Sequence, residues 1–393
     1  MTRDIVKICL IATGLLSVFF TSMLPSLAEE FAAVDVGDIN GDGSVNILDA
    51  IFGLKIIENI ETPVPANIGA DVNDDGKIGL EESIYALQIT SGVKQNPAEQ
   101  VPLNQFTIGD SIGEGEAANG TIGAPNHETV WSTGYDLDDS VNSINERFEY
   151  SDATNYYENN ADRDPVFNHA VSGAVMADFA AQASGIVAAA EFSTSPDTAS
   201  MITILLGSND VCASSLDAMT DPIAFENQYR AGLDFLAEFT ETQYAYIHVS
   251  SIPAIYWLWN AKRTNTWCRI FAWPFVPCGN LLDNPADDCE SSESRLDPDT
   301  IYEGDGENCI RRKTFHAKIR DIYNPILRDV LHEYKDNGKL PNAYFIDVFD
   351  VQFDDIQVNG GDCFHPSEAG HTLLARKEWC LSQWAIDDSI CTP

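Results

Sequence analysis

Positive charge is what this chain has least of. Its 393 residues include 22 lysines and arginines against 61 aspartates and glutamates, a formal net charge of −39. A field of that sign repels phosphate backbones and anionic membrane surfaces, which excludes nucleic acid as a partner, and it draws divalent cations. Most of these carboxylates are expected to form a solvated acidic surface. Long apolar runs are scarce too. One, Ile8 to Phe20, follows Arg3 and Lys7 and leads into "SLAEE", with Ser26 and Ala28 at the usual cleavage positions. This is the pattern of a secretory signal peptide, residues 1–28, with an uncleaved N-terminal anchor as the alternative. No later run is long and apolar enough to span a bilayer, so the mature chain is expected to be soluble and extracellular.

Eight of the nine cysteines follow that segment. An even number in an exported chain points to disulfides, although a core of this size does not require them. Cys268, Cys278, Cys289 and Cys309 crowd into one region. That region reads as a stapled loop excursion, and spacing alone leaves the pairing open.

Two segments repeat. "DINGDGSVNILD" begins at Asp38 and "DVNDDGKIGLEE" at Asp71, 33 residues later, and each leads into an amphipathic helical stretch. In the first, Asp38, Asn40 and Asp42 hold positions 1, 3 and 5. Gly43 sits at the sharp turn, the Ser44 carbonyl is position 7, Asn46 is position 9 and Asp49 closes at position 12. In the second, Asp71, Asn73, Asp75, Gly76, the Lys77 carbonyl and Glu82 hold the same roles. Hard oxygen ligands at this spacing wrap Ca²⁺. The pair resembles a dockerin, a small calcium-folded helical module of two EF-hand-like loops, over about residues 34–92. The resemblance implies structural Ca²⁺ and a cohesin as anchoring partner. Dockerins generally carry small hydroxyl residues at loop positions 10 and 11. This chain has Ile47 and Leu48, then Leu80 and Glu81.

A polar stretch with two prolines, residues 93–105, reads as a linker. After it the pattern changes. Short apolar runs in "QFTIGDS", "VFNHAVSG", "MITILLGSND", "YAYIHVSSIP" and "NAYFIDVFD" alternate with longer mixed stretches. That spacing predicts parallel strands joined by helical crossovers, an α/β domain over residues 106–393. "VMADFAAQASGIVAAA" reads as one crossover helix.

The first of these runs ends in Gly-Asp-Ser. It places Ser111 at the C-terminal edge of a parallel sheet, at an expected helix start, where such folds put their ligands. A serine becomes a nucleophile only with a base, an orienting acid and oxyanion donors. The chain has only seven histidines. His365 is the candidate base because Asp362 lies three residues before it, and His371 is the runner-up. His127, His169, His248, His316 and His332 have no nearby acid in this arrangement and read as structural. The candidate oxyanion donors are the Ser111 N–H, the Gly173 N–H after "NHAVS" and the Asn209 amide in "GSND".

These four blocks, "GDS", "VSGA", "GSND" and "DCFH", occur in the order of the SGNH or GDSL-type hydrolases, and the resemblance spans about residues 104–384. It implies a flavodoxin-like three-layer fold and ester hydrolysis through an acyl-enzyme, with Ser111, Asp362 and His365 as catalytic residues and no cofactor for the chemistry. "GSNDVC" and "SSIPAIYWLW" look closest to the lipolytic, phospholipase-like branch. The substrate expected is therefore a small-molecule or lipid ester. A carbohydrate acetyl esterase is the alternative, and a non-catalytic calcium-dependent anchoring protein is a further one. Trp257, Trp259, Trp267 and Trp273 fall within residues 255–278. They serve either to pack the excursion on the sheet or to line an acyl pocket and meet lipid.

Overall fold

The computed structural model describes residues 37–42, 44–72, 76–90, 102, 104–150, 167–189, 192, 199–239, 242, 245–279, 287–385 and 391. Residues 1–28, expected as a signal peptide, most of 93–105, expected as a linker, and Gly43, Asn73 and Asp75 of the loops lie outside the described residues.

In the repeat region, helices α1 (Ile47–Ile57) and α2 (Leu80–Thr90) each begin three residues before the apolar stretch that announces them. At α1 the reason is local. The Asn46 side chain accepts from Leu48 N–H at 2.9 Å, while Asp49 Oδ2 accepts from Asn46 N–H at 2.9 Å. The last loop residues are thus also the helix cap. Ile39, Phe52, Ala70 and Ile78 form a small core between the two halves.

In the second region, strands β1 (Gln105–Gly109), β2 (Met201–Leu205), β3 (Tyr246–Ser250) and β4 (Ala343–Ile346) are parallel and stand in that order. On the outer side of β1, the segment expected as a strand in "VFNHAVSG" makes a single parallel bridge, Thr107 to Asn168. Counted in, it gives the spatial order 2-1-3-4-5, the doubly wound flavodoxin-like arrangement. The Asn168 side chain donates to the Gly113 carbonyl at 2.9 Å, and beyond the bridge one further backbone bond, Val171 N–H to the Gly109 carbonyl at 3.1 Å, ties this segment to β1.

The strands are buried on both sides because helices cover both faces, and one face also holds the polar Gln105, Thr107, Thr203 and His248. Ile202 and Ile204 face one layer, with α4 (Phe179–Ala188), α6 (Pro222–Glu238) and α10 (Asn324–Asp336). Between α4 and α6 the chain forms α5 (Ser208–Val211). Met201 and Leu205 face the other layer, with α3 (Ile144–Tyr150) and α11 (Glu368–Cys380). Between β3 and α10 runs the cysteine-rich excursion, with α7 (Ile255–Lys262), α8 (Ser292–Leu296) and α9 (Glu307–Lys318).

Only one disulfide is internal to that excursion, Cys289–Cys309. Cys278 instead joins Cys212, just past "GSND". Cys268 joins Cys363, inside "DCFH", and Cys380 joins Cys391. The staples therefore tie the excursion to two of the four sequence blocks as well as closing it on itself. Trp257, Trp259 and Trp273 are buried in the core of this layer, and Trp267 alone of the four is exposed.

Helices α4 and α6 approach closely at Gly232. A Cβ there would lie 2.0 Å from Phe179 Cδ1, and Phe179 is fully buried with nowhere to move. Gly232→Val should therefore lower stability by about 1–3 kcal/mol through overpacking. It should read out as a fall in the urea midpoint at unchanged slope. An unchanged midpoint would refute this packing.

Candidate active site

Ser111 follows the end of β1. The chain beyond it forms successive tight turns over residues 111–119 rather than the expected helix start. Ala117 and Gly115 have positive φ, and Gly115 is pressed against the Asn126 carbonyl, where no side chain fits. Asp110 is buried, and its Oδ1 accepts from Ile112 N–H at 3.0 Å, which sets the turn. Burial pushes the Asp110 carboxyl up to about 6.

His365 and Asp362 lie on a turn between β4 and α11. Asp362 Oδ1 accepts from Phe364 N–H at 2.9 Å and from His365 N–H at 3.2 Å, leaving Oδ2 for the imidazole. Asn359 braces the same turn. Its Oδ1 accepts from Gly361 N–H at 2.7 Å, and its Nδ2 donates to the Ala117 carbonyl at 2.8 Å, beside Ser111. Cys363, between the acid and the histidine, takes a left-handed conformation (φ 58°) and is anchored to Cys268. Its carbonyl accepts from the Trp273 indole at 2.8 Å.

The three side chains meet. His365 Nδ1 is 2.7 Å from Asp362 Oδ2, and Nε2 is 2.8 Å from Ser111 Oγ. A carboxylate only accepts, so Nδ1 carries the proton and Nε2 is free to accept from the serine. Burial opposes charge on His365. The Asp362 hydrogen bond and charge, with Glu116 and Asp110 behind them, outweigh it and hold the ring above its ordinary value. The runner-up, His371, is fully buried. Its Nδ1 accepts from Trp131 N–H at 3.3 Å, and burial drives it down to about 3, so it stays neutral in the core. His248 is likewise structural, between Glu378 and Gln383.

Of the oxyanion candidates, Asn209 lines the same slot as Ser111, and Gly173 lines a second recess. Gly173 (φ 82°) lies on the loop after the Asn168 bridge. Asn209, in α5, donates one amide hydrogen to the Ala174 carbonyl at 2.9 Å, which ties "GSND" to "VSGA" and leaves its other hydrogen available. A narrow slot of about 50 Å³ opens at Ser111, Ser208, Asn209 and His365 and is otherwise apolar, with Ile112, Ile255, Leu258, Phe353, Val358 and Phe364 in its wall. Ile255 and Leu258 are on the helix that carries Trp257 and Trp259. The helix turns the tryptophans to the core and the smaller residues to the slot. The hydroxyl, imidazole, carboxylate, free donors and dry slot form an arrangement able to deprotonate a serine and hold an ester carbonyl.

A family model for GDSL-like lipase/acylhydrolase matches residues 106–378, more than half of the chain. The chain belongs to that family. It is therefore an ester-hydrolase-type enzyme of the lipase and acylhydrolase group. A second model, dockerin type I domain, matches residues 36–79, so a dockerin domain precedes the hydrolase. No curated protein matches the chain.

The dockerin loops fit a hard cation by their chemistry. Asp38 Oδ1 accepts from Gly41 N–H at 2.9 Å, and Asp42 Oδ1 from Ser44 N–H at 3.1 Å. Asp49 is fully buried with its oxygens on Asn40 and Asn46 N–H, at 3.1 and 2.9 Å. Burial, then the charges of Asp38 and Asp42, push the Asp49 carboxyl up. In the second loop Asp71 Oδ2 accepts from Gly76 N–H at 2.6 Å, and Glu82 from Gly79 and Val72 N–H at 2.5 and 3.2 Å. In both loops the position-12 carboxylate takes the position-9 N–H. Converging carboxylates of this kind are the donor set of Ca²⁺.

Sequence reasoning did not reach Asn359, the Cys268–Cys363 link, the wall of the slot, or Glu116. Only Cys363 carried a signal, by standing inside its block.

The carboxylates around His365 favour its charged form, so the ring should stay protonated to higher pH than a free imidazole. The neutral, proton-accepting form appears only as pH rises through that raised value. Ring-proton NMR should show His365 titrating above 6.5, and Asp362→Asn should move it down. Titration at or below 6.5 in the unmutated protein would overturn this electrostatic account.

Proposed function

We propose that this is a secreted serine carboxylic ester hydrolase acting through an acyl-enzyme, with a preference for lipid-like acyl groups. The observation that carries the reading is the relay Asp362–His365–Ser111, spaced at 2.7 and 2.8 Å beside an apolar slot. Ser111 Oγ attacks the ester carbonyl while His365 Nε2 takes its proton. Asp362 holds the tautomer and steadies the imidazolium. The Ser111 and Gly173 N–H groups and the Asn209 amide hold the oxyanion. Water then attacks the acyl-enzyme with His365 again as base.

Two features support a lipid-like acyl group. The slot is narrow and largely apolar and suits an extended hydrocarbon. Trp267, Ile270, Phe271 and Phe275 lie exposed beside the proposed catalytic turn, with Trp267 Nε1–H donating to the Gly361 carbonyl at 2.8 Å. The dockerin domain favours the second reading, a carbohydrate acetyl esterase, because such domains anchor enzymes of polysaccharide degradation. Acyl chain length separates the two. Each methylene accommodated in the slot should raise kcat/KM up to about fourfold, from ~0.8 kcal/mol per buried CH₂, until the slot is full. Leu258→Trp, which fills the slot, should abolish that rise. Ser111→Ala should cost roughly 10⁴–10⁶ in kcat. A profile that peaks at acetate rejects the lipid reading, and near-full turnover by Ser111→Ala rejects the mechanism.

Calcium is proposed as structural, held by Asp38, Asn40, Asp42, Ser44 and Asp49 in one loop and by Asp71, Asn73, Asp75, Lys77 and Glu82 in the other. Bound there, it would offset the repulsion among these carboxylates. Ile47, Ile51 and Leu54 on α1 recur as Leu80, Ile84 and Leu87 on α2, 33 residues on, and all six are exposed. This doubled apolar stripe supports anchoring to a cohesin-like partner by apolar contact, in place of the hydroxyl residues that positions 10 and 11 lack. Chelation should reduce the helix signal of residues 34–92 while ester hydrolysis persists. Complete, reversible loss of hydrolysis in chelator would contradict a purely structural role confined to the dockerin domain.

A further inference from the structure

The two sides of the cleft differ in charge as well as polarity. Away from the apolar slot, loop 170–174 brings Ser172 against the turns that follow Ser111. Ser172 N–H donates to Glu114 Oε2 at 2.7 Å, and Ser172 Oγ lies 2.5 Å from Glu114 Oε2 and 2.7 Å from Glu116 Oε2. A hydroxyl has one proton to give, so it satisfies one of these carboxylates at a time. Among the described residues, neither glutamate is paired with a lysine or arginine. The same Glu116 Oε2 stands 3.8 Å from His365 Nε2, the nitrogen that faces Ser111. Its side chain is 17% exposed, so a ligand in the cleft meets its charge with little water between them. Beside this corner a wider recess of about 460 Å³ is lined by Ser172, Gly173, His169, Gln182 and a further carboxylate, Asp178. Among the described residues, the wall of the apolar slot contains no carboxylate.

We propose that Glu116, seconded by Glu114, sets the charge preference for the alcohol half of the ester: cationic leaving groups are favoured and anionic ones rejected. The inference rests on the proposed acyl-enzyme mechanism. In acylation a bond forms between Ser111 Oγ and the carbonyl carbon, and the ester C–O bond breaks. The proton that His365 Nε2 took from Ser111 passes to the departing oxygen, which leaves as the alcohol. That oxygen must come within hydrogen-bond reach of Nε2. The first atoms of the alcohol then lie beside Glu116 while the acyl chain occupies the slot.

The test uses the full chain and three soluble butyrate esters that differ only in the alcohol: choline, ethylene glycol and 2-hydroxyethanesulfonate. At low salt and pH 8, kcat/KM should favour the choline ester over the sulfonate by about tenfold, the effect of unit charges a few ångströms apart in a partly exposed cleft. The gap should narrow as salt rises. Glu116→Gln should close most of it, Glu114→Gln less, and Glu116→Asp should retain it. Asp329→Asn, an exposed carboxylate on α10, should leave the ratio alone, which separates a local effect from the net charge of the chain. Ratios within twofold in the unmutated protein, or a ratio that survives Glu116→Gln, would overturn the proposal. If Glu116→Gln does not fold, the unmutated ratio, its salt dependence and Glu116→Asp still decide. Ser111→Ala assayed alongside keeps the two readings apart. Turnover without Ser111 would refute the mechanism itself, whereas an inactive Ser111→Ala with no charge preference in the parent would refute only the role of Glu116.

Discussion

The hydrogen bond from His365 Nδ1 to Asp362 Oδ2, at 2.7 Å, is the constraint on which the rest of the site depends. It fixes the tautomer, and only that tautomer leaves Nε2 able to accept from Ser111. A three-residue separation does not secure it, because a free turn would sample many geometries at a cost of about 1–2 kcal/mol per residue to order. The protein orders this turn from several sides. Asp362 accepts from two N–H groups ahead of it, and Asn359 braces the turn against the chain that carries Ser111. Cys363 is tied to Cys268, and α11 begins directly afterwards with Ser367 as its cap.

The parallel sheet supplies the other half of the geometry. Every strand of such a sheet ends on the same edge, so residues far apart in the chain are delivered to one line. Ser111 follows β1 and Asn209 follows β2. The slot takes Pro253, Ala254 and Ile255 from just beyond β3. The cost of this arrangement is that the ends must not splay. The Cys212–Cys278 link, the Asn209-to-Ala174 hydrogen bond and the Asn324 bonds to Ile252 hold them together. The cysteine-rich excursion is best understood in this light. It is an outer brace that grips the chain at "GSND" and at "DCFH".

The cleft is divided. One wall is apolar and narrow, the other acidic and open, and Ser111 and His365 stand on the boundary. In a chain with so large an excess of carboxylates, the absence of any from the slot wall is a property of that wall, and the presence of Glu114 and Glu116 opposite is a property of the turn after Ser111. Both follow from which way a few side chains face.

The sequence by itself determined the elements that rest on local spacing. Two 33-residue-spaced loops carry the expected ligand pattern within twelve residues each and lead into helices, so the presence of a dockerin domain was legible. The parallel strands with helical crossovers and the four blocks were legible for the same reason, and the structure brings the candidates Ser111, Asp362 and His365 together. Long-range choices were not. The pairing of eight cysteines depends on which loops the fold brings to within a disulfide's reach, and it sent Cys268 and Cys278 out to "DCFH" and "GSND" instead of to each other. Whether a tryptophan lines a pocket depends on the rotation of α7, which buried Trp257 and Trp259 and offered Ile255 and Leu258. The segment expected as a strand at Asn168 forms a single bridge, and Glu116 stands near His365 on a run of turns where a helix start was expected. Each of these is settled by contacts between residues distant in the chain, where no periodicity or spacing carries the information.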